Sequence, residues 1–240
     1  MKGGPILAKD KPKPYNCRSA LTLTEQILAE LAYFQPDGDE PPAIPHVWKQ
    51  GRNPLVVVVG DNAGGKSFFR RLVQGACSHS KVECIAISME GRETSPGFVK
   101  ACVYGTEQWD ATGANSAHTI LMGIKTCRER DKPHTIFWDE PDLGLSDSWA
   151  AGAGVAIREF AQDLPEHTRA VYVVSHSKAL VRELLPAQPH YLHLGSVEAP
   201  VDLTGWLEQP VKPRDLSKLS EAGHQRFKRI QRILNEKKRK

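Results

Sequence analysis

The chain has 240 residues, 40% hydrophobic and 25% charged, with a formal net charge of +4. That length supports one α/β domain with appendages, and the composition is ordinary for a soluble globular protein rather than a disordered or fibrous one. No apolar run approaches the roughly 20 residues that cross a bilayer, and Met1–Pro5 lacks the apolar stretch of a signal peptide, so a membrane partner is not expected and the cytoplasm is.

Residues 1–20 are polar and read as loose. Leu21–Phe34 predicts a helix with Thr24 as its cap and an apolar stripe of Ile27, Leu28, Leu31 and Phe34. Gln35–Pro45 (QPDGDEPPAIP) reads as a Pro-rich acidic linker. Leu55–Val59 (LVVVV) predicts a buried parallel strand, and Phe68–Val73 opens a helix. Further strands are expected at Lys81–Ser88, His134–Trp138, Ala170–Ser175 and His190–Leu194. Helices are expected at Ser116–Arg130, Val155–Leu164 and Lys178–Leu185. This alternation predicts a mostly parallel sheet covered by helices on both faces. The organisation expected is an N-terminal helix and linker over 1–50, a main domain over 51–210 and a basic helical tail over 211–240.

Between the first strand and its helix stands Gly60-Asp61-Asn62-Ala63-Gly64-Gly65-Lys66-Ser67, a G-x-x-x-x-G-K-S loop in its proper strand–loop–helix setting. Glycines let backbone N–H groups turn inward around phosphate oxygens, and the helix N-terminus adds its dipole. Lys66 adds a point charge near the β- and γ-phosphates, and Ser67 offers a hydroxyl to Mg²⁺. Downstream, the apolar strand Thr135–Trp138 ends in Asp139-Glu140, where ligands sit in open α/β sheets. Neighbouring strand residues point to opposite sides, which suits two roles: Asp139 on the metal and Glu140 as the base that takes a proton from water.

With these motifs in order, the chain resembles the ABC-type P-loop ATPases, and within them the chromosome-maintenance and repair members more than transporter subunits. The resemblance covers roughly residues 52–196. It implies a P-loop NTPase fold with reduced helical and N-terminal β subdomains, ATP and Mg²⁺ as ligands, and hydrolysis to ADP and phosphate. Asn62 matches the family loop and Ala63 replaces its usual Gly. Leu145-Ser146-Asp147 resembles the loop that follows the carboxylates. His176, 37 residues after Asp139, stands where the family has a histidine that contacts the γ-phosphate. Thr112-Gly113-Ala114-Asn115 is similar to the signature that opens a helix and faces the other subunit's nucleotide, with Thr112, Gly113 and Asn115 as contacts, which implies a homodimer closed on ATP. Gln108 is the candidate for a metal-contacting glutamine. Phe68 completes the nucleotide-binding set, and Trp48, Tyr33 and Phe34 are the candidates for stacking on adenine.

Charge is unevenly spread. Residues 211–240 hold eleven Lys/Arg and three Asp/Glu, against 21 positives and 25 negatives in the first 210 residues. From Ala222 the tail predicts a basic helix with Phe227, Ile230, Ile233 and Leu234 on one side. Three readings of it stand open: contact with nucleic-acid phosphates, docking of its apolar side on a partner protein, or packing on its own domain. Cys17, Cys77, Cys84, Cys102 and Cys127 are odd in number and show no C-x-x-C, which argues against disulfides or a zinc module. The expected process is nucleic-acid-related or a defence or repair one. The alternatives are the ATP-binding subunit of a membrane transporter and a nucleotide-dependent switch that regulates a partner.

Overall fold

Leu55–Val59 forms a strand in which every residue is buried, because helices cover both faces of the sheet it centres. The computed structural model describes residues 14–88 and 111–239, with side chains described through 236. The N-terminal residues 1–13, Cys102 and the candidate Gln108 lie outside the described residues. The strands are β1 (His46–Lys49), β2 (Leu55–Val59), β3 (Glu83–Ile87), β4 (His134–Asp139), β5 (Thr168–Val174) and β6 (His190–Leu194). They form one sheet in the order β1-β6-β2-β5-β4-β3, parallel except for β1, which runs antiparallel to β6.

The helices are α1 (Ala20–Glu30), α2 (Lys66–His79), α3 (Thr112–Glu129), α4 (Asp147–Gln162), α5 (Lys178–Leu184), α6 (Leu203–Glu208) and α7 (Ser217–Arg239). Alternate strand residues divide the core between two faces. Leu55, Val57, Val59, Ile136, Trp138, Val171 and Val173 face one core with residues from α3 to α6. Val56, Val58, Phe137, Tyr172 and Val174 face the other, with α1, α2 and α7. Phe137 and Tyr172 stack in the second core at 5.3 Å between ring centroids.

The start of the chain differs from expectation. α1 begins at Ala20, capped by Ser19, whose side chain accepts from the Thr22 N–H, and it ends at Glu30 with a 3₁₀ turn at Ala32–Phe34 after it. Thr24 is not the cap: it is fully buried, with its hydroxyl 3.0 Å from that of Tyr172 on β5. The linker packs as well, Ala43 and Ile44 being buried, so residues 20–44 share one core with the sheet. Tyr172→Phe is expected to lower unfolding stability by about 1–3 kcal/mol in urea melts, because it strips the buried Thr24 hydroxyl of its partner. No change in midpoint would show that this bond does not tie α1 to the sheet.

Two elements were not legible. β1 is a four-residue edge strand that covers β6, and α6 is a six-residue helix capped by Asp202, which accepts from the Gly205 N–H at 2.8 Å. α4 starts eight residues earlier than the expected Val155. At Gly154 the glycine serves packing, since a Cβ there would overlap the Leu180 carbonyl of α5.

Candidate functional site

The strand order puts β5 between β2 and β4, and all three run parallel, so their C-terminal ends share one edge. That edge carries the Gly60–Ser67 loop after β2, Asp139-Glu140 at the end of β4, and Ser175-His176 after β5. Backbone bonds fix the levels: Glu140 N–H donates to Val174 O (2.9 Å) and Ser175 N–H to Val58 O (3.3 Å).

The loop wraps back on itself. Gly60 has φ +135°, and a Cβ there would overlap the Leu194 carbonyl, so only glycine lets the chain turn beside β6. Ala63, where the resembled family has glycine, sits at φ +58°, a left-handed conformation that strains a residue with a Cβ. Lys66 opens α2 almost fully buried and donates to the carbonyls of Gly60 (3.0 Å) and Asp61 (2.8 Å). Burial pulls its ammonium down to about 8 from the usual lysine value, against the opposing pull of Glu140, Asp139 and Asp61. Ser67 and Asn62 are exposed. Phe68 is half-buried and meets Tyr33 edge-on at 5.0 Å.

The two carboxylates take different partners. Asp139 pairs through Oδ2 with Arg70 Nε at 3.1 Å, with both side chains nearly buried, and Arg70 also donates to the Ser88 hydroxyl. Glu140, just past the end of β4, has φ +56°, and its Oε1 lies 3.5 Å from His176 Nε2. His176 beside it holds the Glu140 carboxyl below the usual range against a desolvation penalty, with Lys66 adding to the effect. Asp142 behaves oppositely: burial raises its pKa although the Ser175 hydroxyl donates to it at 2.8 Å. Ser67 and Asp139 present a hydroxyl and a carboxylate, the hard oxygen donors that suit Mg²⁺ when phosphates and water complete its shell. Among the described residues no cluster of three His, Cys, Asp or Glu could hold a metal by itself.

Thr112, Gly113 and Asn115 lie differently from expectation. They form the first turn of α3, which starts at Thr112 and not at Ser116. Its first i−4 bond runs from the Asn115 N–H to Ala111 O at 3.1 Å. The turn packs on the loop after Glu140: Gly113 lies against the Gly144 carbonyl, and the Ser116 hydroxyl donates to Leu143 O at 2.6 Å. Thr112 is exposed, whereas Asn115 is 2% exposed and therefore faces the interior of its own chain. The aromatic candidates are engaged too. Tyr33 and Phe34 are core residues, and Trp48 stacks on His190 at 5.5 Å.

Sequence reasoning missed the tail's place in the site. The tail lies along the loop, with Arg226 of α7 donating to Gly64 O (2.7 Å) and Arg214, ahead of α7, pairing with Asp61 (2.8 Å). The predicted apolar side splits, Ile230 and Ile233 being buried while Phe227 and Leu234 stay exposed. Arg229 donates to the Pro41 carbonyl, and Arg232 pairs with Glu40 at 2.6 Å. The acidic linker and basic tail are therefore partners, a signal present in their opposite charges. Of the three readings of the tail, packing on its own domain is the one these contacts realise.

Comparison with known proteins adds little. No family model matches the chain, and no curated protein does. Among solved structures it is similar to the crystal structure of the complex of archaeal ribosomal stalk protein aP1 and archaeal ribosome recycling factor aABCE1, at 16% identity and a TM-score of 0.38. The match covers 60% of this chain and 39% of that one, and at that overlap it carries no argument about family or activity. The chain is an α/β protein with a six-stranded, mostly parallel sheet flanked by helices, and among the described residues no helix is long and apolar enough to cross a membrane.

Proposed function

We propose that this chain binds ATP on the Gly60–Ser67 loop and hydrolyses it to ADP and phosphate, as an ABC-type P-loop ATPase with Mg²⁺ as cofactor. The observation that carries the reading is the convergence of Lys66, Asp139, Glu140 and His176 at the ends of three adjacent parallel strands. Lys66 meets the β- and γ-phosphates, with the N–H groups of the loop and the α2 N-terminus around them. Ser67 and Asp139 hold Mg²⁺, which when bound neutralises phosphate charge. Glu140 takes a proton from water as its oxygen bonds the γ-phosphorus and the bond to the ADP oxygen breaks. His176, beside Glu140, contacts the γ-phosphate. ATP-driven pairing of two copies, with Thr112 and Gly113 at the contact, belongs to the same proposal. A nucleotide-dependent switch of low turnover is the second reading, favoured by the tail helix packed on the loop.

The test uses the buried lysine. Its ammonium titrates at about 8 in the free chain, and phosphate charge on the bound chain raises that value. Binding of Mg·ATP therefore takes up protons increasingly as pH rises through about 8. Affinity is expected to hold between pH 6.5 and 7.5 and then to fall by up to about tenfold per pH unit. Titration calorimetry in buffers of different ionisation enthalpy is expected to show clearly more proton uptake at pH 9 than at pH 7. Binding without proton uptake at pH 9 would remove Lys66 from the phosphate site.

A further inference from the structure

The outer wall of the glycine-rich loop comes from the far end of the chain. A cavity of about 540 Å³ lies between Asp61, Asn62 and His176 on one side and Arg214, Lys218 and Leu219 on the other. The segment that carries Arg214 is held at both ends. Before it, Lys178 donates to the carbonyls of Leu207 (2.9 Å) and Gln209. After it, α7 is seated by buried Ile230 and Ile233, by Arg226 on Gly64 O and by Arg232 on Glu40. Residues 210–216 between these anchors form neither helix nor strand, and Arg214 reaches the loop from this stretch with its side chain exposed.

Its present partner holds it weakly. The Arg214–Asp61 pair spans 2.8 Å, but the two side chains are 74% and 57% exposed, and solvent screens such a pair. A phosphate offers a guanidinium more charge and two parallel hydrogen bonds. Under the ATP-binding reading, on which this inference rests, Glu140 and His176 mark the side of the loop where the terminal phosphate lies, and the cavity opens on that side. Arg226, half-buried, lies on the same loop with one guanidinium nitrogen on the Gly64 carbonyl. We infer that Arg214 leaves Asp61 for the terminal phosphate of a bound nucleoside triphosphate, so that the C-terminal segment supplies a cation to the site of its own chain.

The experiment measures equilibrium binding of fluorescent ATP and fluorescent ADP, each with Mg²⁺, to the full chain. In Arg214→Ala, affinity for the triphosphate is expected to fall about tenfold while affinity for the diphosphate stays unchanged. Arg214→Lys is expected to recover part of the loss. Equal weakening of both nucleotides would make Arg214 a clamp on the loop and overturn the inference, as would no change in either. A wild-type chain that binds neither nucleotide would overturn the ATP reading itself, and it would do so before any substitution is made.

Discussion

Glu140→Gln is expected to slow ATP hydrolysis by about 10²–10⁴-fold while Mg·ATP still binds. The amide keeps the shape of the carboxylate and an oxygen to face His176, now 3.5 Å away, but it cannot take a proton from water. The ionised form is the one needed, and the neighbouring His176 and Lys66 hold the Glu140 carboxyl in that form below its usual titration range. With hydrolysis blocked, the ATP-bound pair of chains is expected to persist and to elute as a dimer in size-exclusion chromatography. Asp142→Asn is the control. Asp142 is two residues away, its pKa is raised by burial, and its carboxylate is engaged by Ser175, so its loss should cost far less turnover. Wild-type turnover in Glu140→Gln would end the assignment of the base.

Lys66→Ala is expected to weaken Mg·ATP binding by at least about a hundredfold, the worth of one to two charge-assisted hydrogen bonds to phosphate. Fluorescent-nucleotide titration reads this directly, and unchanged affinity would remove the loop from the nucleotide site. Loss of fold is not the expected cause. Burial depresses the Lys66 pKa from 10.5 to about 8, so at neutral pH its charge costs the native state on the order of 3 kcal/mol. That cost is full below pH 8 and disappears as pH rises toward 10.5, where the unfolded chain also releases the proton. Removing the ammonium relieves it, which offsets the two hydrogen bonds given up at Gly60 and Asp61. The urea midpoint of the nucleotide-free variant is therefore expected to stay close to that of the wild type.

Local chemistry determined much of this protein from sequence alone. Apolar runs such as Leu55–Val59 and His190–Leu194 become strands because neither face tolerates water, and the observed strands match the expected ones to within a residue or two. The glycine-rich loop, the carboxylate pair and His176 were legible because each follows such a run, where a parallel sheet presents its edge. Short elements were not: β1 has four residues and exists because β6 needs a covered edge, while the Ala/Gly start of α4 is decided by its contact with α5. Thr112–Asn115 stand before the helix expected from Ser116, yet the helix begins at Thr112, where its first turn packs on the Gly144 carbonyl and Leu143 O of the loop after β4. Only the tertiary structure decided how the two charged segments of the chain meet. Composition shows an acidic linker and a basic tail, but contacts such as Arg232–Glu40, 192 residues apart, follow from the sheet order and from where Ile230 and Ile233 find apolar cover. Periodicity identifies the face of a helix that must be buried. Which surface buries it, here one beside the loop at Gly60–Ser67, depends on every other element having taken its place.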